Sequence, residues 1–287
     1  MRKESSFTHT LPLMLFALLI TTGYTCSQAL AGSTASGGSS PAAVSTRPSP
    51  GHVVSPAGPQ NAPLIDPMVR QVLNGACHEL ASAKTMTYHA EITFDSVLPS
   101  GVKIQYAAAM DAAIKRPDHL AISYKSDLGA KAIWYDGKTL TIYDPSHRVY
   151  ASTPAADSIE AMFKQVAEEK NLSIPLEGFD FNDECGRAYR DIQRAKYISV
   201  NDADGVDCDH LGFIQQDADW QLWVDHTGKP LPRKIVITYK KLPSQPQWSA
   251  TFSNWRFNQN LPASLFQAKI PKGVIRASFM GVKEKQQ

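Results

Sequence analysis

Little in this chain is extreme, and its shortages are informative. Only four cysteines occur in 287 residues, with no CxxC or paired Cys/His spacing, so no zinc motif is present. The formal net charge is +2, and Lys138, Lys240 and Lys241 are scattered as on a solvated surface. A polyanion needs clustered basic charge, so no nucleic-acid partner is expected. There is no GxSxG elbow, no HExxH helix and no phosphate-cradling glycine loop, and no residue is nominated as catalytic. The apolar run Leu11–Ile20 (LPLMLFALLI) is too short to span a bilayer comfortably, and no other run approaches that length.

What is present begins with that run. Arg2 and Lys3 precede it, and Ala29-Leu30-Ala31 offers a small-x-small cleavage site, so 1–31 reads as a secretory signal peptide. The expected location is the periplasm. Cys26 offers an alternative, lipidation that would leave a membrane-anchored lipoprotein, although the bulky Tyr24 departs from the usual lipobox. Cys77, Cys185 and Cys208 would then meet an oxidising compartment. A Cys185–Cys208 disulfide is expected, with Cys77 a small buried hydrophobe on a helix.

Residues 32–65 are rich in Ser, Gly, Ala and Pro and read as a disordered tether, with 281–287 a disordered tail. The folded domain is expected over 66–280. Asp66-Pro67 opens a helix with Val69, Val72, Leu73, Ala76 and Leu80 on one stripe, ending near Ser82 to Lys84. About five strands follow by period-two alternation, including a tight turn at Asp136-Gly137. Helical spacing returns over Ser158 to Lys170, and a second helix is expected over Asn182 to Arg194. Five or six further strands follow, the last at Leu265 to Ile270. Of these, Val206 to Phe257 forms a meander with one large apolar face. The fold class is α+β, an antiparallel sheet long enough to curl, with helices able to cover one face.

That apolar face is either a packed core or the lining of a ligand cavity, since both have the same composition. The candidate lining residues are Tyr106, Ile122, Trp134, Ile142, Phe163, Trp220, Leu222, Ile237, Trp248 and Phe252. The acidic stretch Asn201 to Asp209 carries alternate carboxylates and Gly205, but the twelfth position from Asp202 is Phe213 rather than Glu. It reads as a polar β-turn, with no metal and no cofactor expected. On a strand, Asp207 and Asp209 face away from His210, so the three do not converge, and His210 is expected to be a structural hydrogen-bond partner.

Five segments carry a resemblance: IWYDGKTLTIYDP, VDCDHLGF, DWQLWVD, GKPLPRKIVITY and WSATFSNWRFNQNLPASLFQAKIPKG. Together they resemble a family of predicted periplasmic proteins placed with the LolA/LolB-like lipoprotein carriers, over roughly Asp66 to Arg276. The resemblance implies a LolA-like half-barrel, a strongly curved open antiparallel sheet capped by helices over an apolar cavity. It also implies a non-enzymatic protein whose partner is a lipid acyl chain or lipoprotein anchor, with association at a membrane surface. The alternatives are a cell-envelope structural or interaction protein with a filled core and an envelope protein partner, or an envelope hydrolase.

Overall fold

Asp66 stops the extended chain and starts the first helix. The computed structural model describes residues 64–170 and 191–279. The expected signal peptide, the expected tether up to residue 63, Cys26, Cys185, the expected helix over 182–190 and the expected tail lie outside the described residues. Asp66 holds non-helical φ and ψ of −57° and 132°, and its Oδ1 accepts a hydrogen bond from the Met68 amide at 2.9 Å. Pro67 fills the first helical position, where its missing N–H costs nothing. Helix α1 (Pro67–Ala81) buries Val69, Val72, Leu73, Ala76, Cys77 and Leu80, the expected stripe with Cys77 added. The Asp66 cap contributes about 1 kcal/mol.

Six strands follow: β1 (Thr85–Val97), β2 (Lys103–Lys115), β3 (His119–Ser126), β4 (Gly129–Asp136), β5 (Thr139–Asp144) and β6 (Val149–Pro154). Helix α2 (Ile159–Lys170) comes next. The remaining strands are β7 (Arg194–Ala203), β8 (Val206–Ile214), β9 (Ala218–Asp225), β10 (Pro232–Tyr239), β11 (Gln247–Phe257) and β12 (Ile275–Ala277). They form one sheet ordered β12-β6-β5-β4-β3-β2-β1-β11-β10-β9-β8-β7. Two meanders, β1 to β6 and β7 to β11, join where β11 pairs antiparallel with β1; among the described strands only the β12–β6 pair is parallel, and an isolated parallel bridge links Ile65 to Ala195. The sheet is curved and not closed, as the α+β half-barrel expectation required. Accumulated strand twist curls a sheet this wide. Among the described residues no helix is long and apolar enough to cross a membrane.

The turns follow the local chemistry. Gly137 takes φ 88° between β4 and β5, and Asp136 Oδ1 accepts from the Thr139 amide at 2.8 Å. Between β7 and β8, Asp204 and Gly205 both adopt positive φ, 56° and 77°, the signature of a two-residue type I′ hairpin. The acidic stretch therefore turns at Asp204-Gly205 as its sequence suggested, while its flanks belong to β7 and β8.

The sheet has two apolar faces of unequal size. The inner face carries Tyr88, Ala90, Ile92, Met110, Ile133, Tyr135, Leu211, Leu222 and their neighbours in one cluster with both helices. Ile159, Met162 and Val166 of α2 enter this cluster, each no more than 1% exposed. Burying each such side chain contributes roughly 1.5–3 kcal/mol. The outer face holds a small cluster of Ala113, Ala121 and Phe266, with Trp134, Leu261 and Leu265 packed on it.

Two expectations are corrected here. Leu265 to Ile270 is not a strand: Ala263–Leu265 is a 3-10 turn after Pro262, and the last strand is Ile275–Ala277. Proline supplies no N–H to a ladder at Pro262 or Pro271, and Phe266 instead plugs the outer face with its ring 5.2 Å from that of His119. Arg194, expected at the end of a helix, instead opens β7.

Candidate functional site

Strand register assembles what the sequence scatters. Phe213 pairs with Trp220, Trp220 with Ile237, Ile237 with Trp248, Trp248 with Phe94 and Phe94 with Tyr106. These residues form a continuous cross-strand row on the inner face, running through β8, β9, β10, β11, β1 and β2. At about 4.8 Å between strands the row spans roughly 24 Å. Phe213 and Trp220 stack with centroids 3.6 Å apart, and Phe94 and Tyr106 lie 5.7 Å apart at 38°.

The row marks a change in burial. The next row inward, Leu211, Leu222, Ile235, Ala250, Ile92 and Ala108, is buried throughout. In the outer row Phe213 and Trp248 are buried, while Trp220, Ile237, Phe94 and Tyr106 are only half-buried. Beyond it the β1–β2 hairpin carries the same apolar side outward through Ile104 to Leu98 and Val102, which are 42% and 53% exposed. Tyr239 flanks the row, and burial raises its phenol above the ordinary tyrosine range. The result is an aromatic lip at one end of the inner face. Contact with water there is unfavourable unless something apolar covers it.

Of the ten expected lining residues, Tyr106, Trp220, Ile237 and Trp248 lie in this row. Leu222 and Phe252 are buried deeper on the same face, and half-buried Phe163 of α2 packs against the core. Ile122 and Ile142 flank Ile133 on β3 to β5, away from the lip. Trp134 is a correction. It pairs with Ala121 and Thr141 and faces the outer cluster under Phe266, whereas its neighbours Ile133 and Tyr135 point inward. At Ile133, Trp134 and Tyr135 strand β4 is apolar on both faces, so alternation there does not orient it. Phe94 and Phe213 complete the row, but only the pairing register places them there.

The cysteines are also corrected. Cys208 is a free thiol, fully buried, and Cys77 is the disulfide-bonded one, its partner lying outside the described residues. The β-strand parity of Cys208 sends it toward Asp225 and away from any bridge. Burial pushes its thiol up to about 11, so it is inert at neutral pH.

Polar groups cluster around structural tasks. Asp225 accepts from Arg233 Nη2 at 2.6 Å, Arg233 Nε at 3.1 Å and the Gly228 amide at 2.8 Å. Burial opposes its charge, but the guanidinium and backbone donors more than offset this and hold the carboxyl below the ordinary range. His210 lies within 3.0 Å of Asn201 and of Gln221 and stacks on Trp223 at 4.0 Å. Burial lowers its imidazole, and both ring nitrogens are engaged as a structural partner's would be. Asp209 accepts from the Tyr197 hydroxyl at 2.8 Å and lies 2.9 Å from His226 Nδ1. Asp209 and His210 therefore serve separate networks. Among the described residues no group of His, Cys, Asp and Glu is arranged to hold a metal.

Comparison with known proteins adds the family. A family model described as "Predicted periplasmic protein (DUF2092)" matches residues 70–280. Among curated proteins none is similar in sequence at a significant level. Solved structures similar to this chain include LprF from Mycobacterium bovis, at 13% identity and TM-score 0.41, covering 73% of this chain and 98% of that one. Lipoprotein LppX from Mycobacterium tuberculosis is similar at 9% identity and TM-score 0.44, covering 69% and 100%. The LolA superfamily protein NE2245 from Nitrosomonas europaea is similar at 16% identity and TM-score 0.33, covering 70% and 97%.

Proposed function

This chain belongs to the DUF2092 family of predicted periplasmic proteins, and we propose that it binds a hydrophobic ligand, a lipid acyl chain or lipoprotein anchor, without catalysing a reaction. The carrying observation is the change in burial along the inner face. Its deep rows are sealed by α1 and α2, while its end row of Trp220, Ile237, Phe94 and Tyr106 stays half-buried and continues into exposed Leu98 and Val102. An acyl chain would enter past the hairpin lip and lie across the row. Each buried methylene contributes about 0.8 kcal/mol, so affinity grows with chain length without any charged contact.

A second reading is favoured by one observation of its own. Val69, Leu73, Leu80, Ile159, Met162 and Val166 are all at most 1% exposed, so beneath the helices the inner face is already filled. If the lip is merely the end of a packed core, the protein is an envelope interaction module.

Native mass spectrometry of the exported protein, purified without detergent and then solvent-extracted, separates the two readings. A lipid in near-stoichiometric amount, with uptake of a fluorescent fatty acid by the stripped protein, supports carriage. A lipid-free protein that takes up no fatty acid overturns it in favour of the interaction module.

A further inference from the structure

At the opposite edge of the sheet, β12 lies parallel on β6, and the two strands bound a pocket of about 290 Å³. Ser152, Thr153, Arg276, Ala277, Ser278 and Phe279 line it, and no carboxylate does. Among the described residues no side chain forms an ion pair or hydrogen bond with the Arg276 guanidinium, the Thr153 hydroxyl or the Ser278 hydroxyl. Ser152 Oγ lies 2.9 Å from the buried Thr141 hydroxyl. With Thr141 donating, the Ser152 hydrogen is left for the pocket. The surrounding charge has one sign. The stretch 259–279 holds Lys269, Lys272 and Arg276 without a single Asp or Glu, and Arg148, in the turn before β6, approaches Gly273. The nearby acid Asp144 is already engaged by Lys131 and His147.

We propose that this pocket binds a phosphate ester. A guanidinium presents a rigid fork matched to two phosphate oxygens, and its strength depends on charge-assisted, bidentate geometry. The Ser152 hydroxyl of β6, on the same face as Arg276, and the Ser278 hydroxyl just past β12 supply donors for the remaining oxygens. The volume exceeds that of a bare phosphate, and Phe279 gives an apolar wall for the carbons of the esterified alcohol. The same chemistry is offered by a soluble phosphate monoester and by the headgroup of an anionic phospholipid. This site lies outside the aromatic row and stands independently of the acyl-chain reading.

The test is an NMR titration of the full exported chain with glycerol 3-phosphate, with a parallel flotation assay on phosphatidylglycerol and phosphatidylcholine vesicles. Shifts confined to residues 152–153 and 276–279 are expected, with affinity lowered about tenfold or more in Arg276→Ala and less in Arg276→Lys, which keeps the charge but loses the fork. Arg276-dependent flotation on phosphatidylglycerol alone identifies the lipid headgroup as the source; soluble binding without flotation identifies a free ester. Equal response to acetate, or titration unchanged in a folded Arg276→Ala variant, overturns the site. Trp220→Asp keeps the phosphate response, so failure here and failure of acyl-chain binding are read separately.

Discussion

Phe213 on β8 and Trp220 on β9 stack face to face, 3.6 Å between centroids and 7° between planes. One ring is buried and the other half-exposed, so this pair sits on the boundary between sealed core and open lip. It is the point where ligand binding and folding energetics can be pulled apart by substitution.

A charge placed in the row abolishes apolar uptake. Trp220→Asp and Ile237→Asp are expected to weaken fluorescent fatty-acid binding roughly tenfold or more, because a carboxylate buried under an acyl chain lacks a partner. Exposed Lys125→Ala on β3 leaves uptake unchanged. Equal uptake by all three variants, each folded by circular dichroism, removes the row from the binding site.

Separating Asp225 from Arg233 costs stability. Asp225 is 6% exposed at its side chain, so Arg233→Ala leaves a buried carboxylate short of its main donor. A loss of about 3 kcal/mol in urea unfolding is expected. The depressed carboxyl also sets the acid limb. Its contribution is complete above the unfolded carboxylate pKa near 4 and is lost as pH falls through the lower folded value. Asp225→Asn should therefore flatten the stability curve on the acid side of about pH 4.

His89 acts in the opposite direction. Its Nε2 lies 2.9 Å from Glu91 and its Nδ1 2.8 Å from Asp111, and these hydrogen bonds, Glu91 first, raise its pKa despite partial burial. Ser253 of β11 is the residue opposite it on the other side. A raised folded value means the stabilisation is complete below the unfolded pKa near 6.5 and fades as pH rises through the folded one. Thermal melts of His89→Ala should lose this slope above about pH 6.5, and high salt should shrink the effect, since both carboxylates are exposed.

Thiol mapping checks the cysteine assignment. Peptide mass spectrometry should find Cys208 alkylated only after unfolding, and Cys77 only after reduction. Native labelling of Cys208 at neutral pH would contradict a thiol buried and held near 11.

Much of this was legible in residues alone. Asp66-Pro67 announces α1 because capping and a pre-set φ are local effects, and Asp204-Gly205 announces its hairpin because few residues accept two positive φ values. Alternation placed Tyr106, Trp220, Ile237 and Trp248 on apolar faces. It failed at Trp134, where Leu261, Leu265 and Phe266 cover the second face of β4, and at Phe266, an apolar side chain that packs without joining a ladder.

The sequence by itself determined the class of fold, the helix starts, the tight turns and the strand alternation, all effects that act within a few residues. Which strands lie side by side was decided only in the tertiary structure. The row from Phe213 to Tyr106 draws on positions that span more than half the described chain, brought into line by the β1–β11 pairing. The same holds for Arg276 beside Ser152 and for Cys77 rather than Cys208 in the disulfide. Register and proximity are properties of the assembled sheet, and no single segment encodes them.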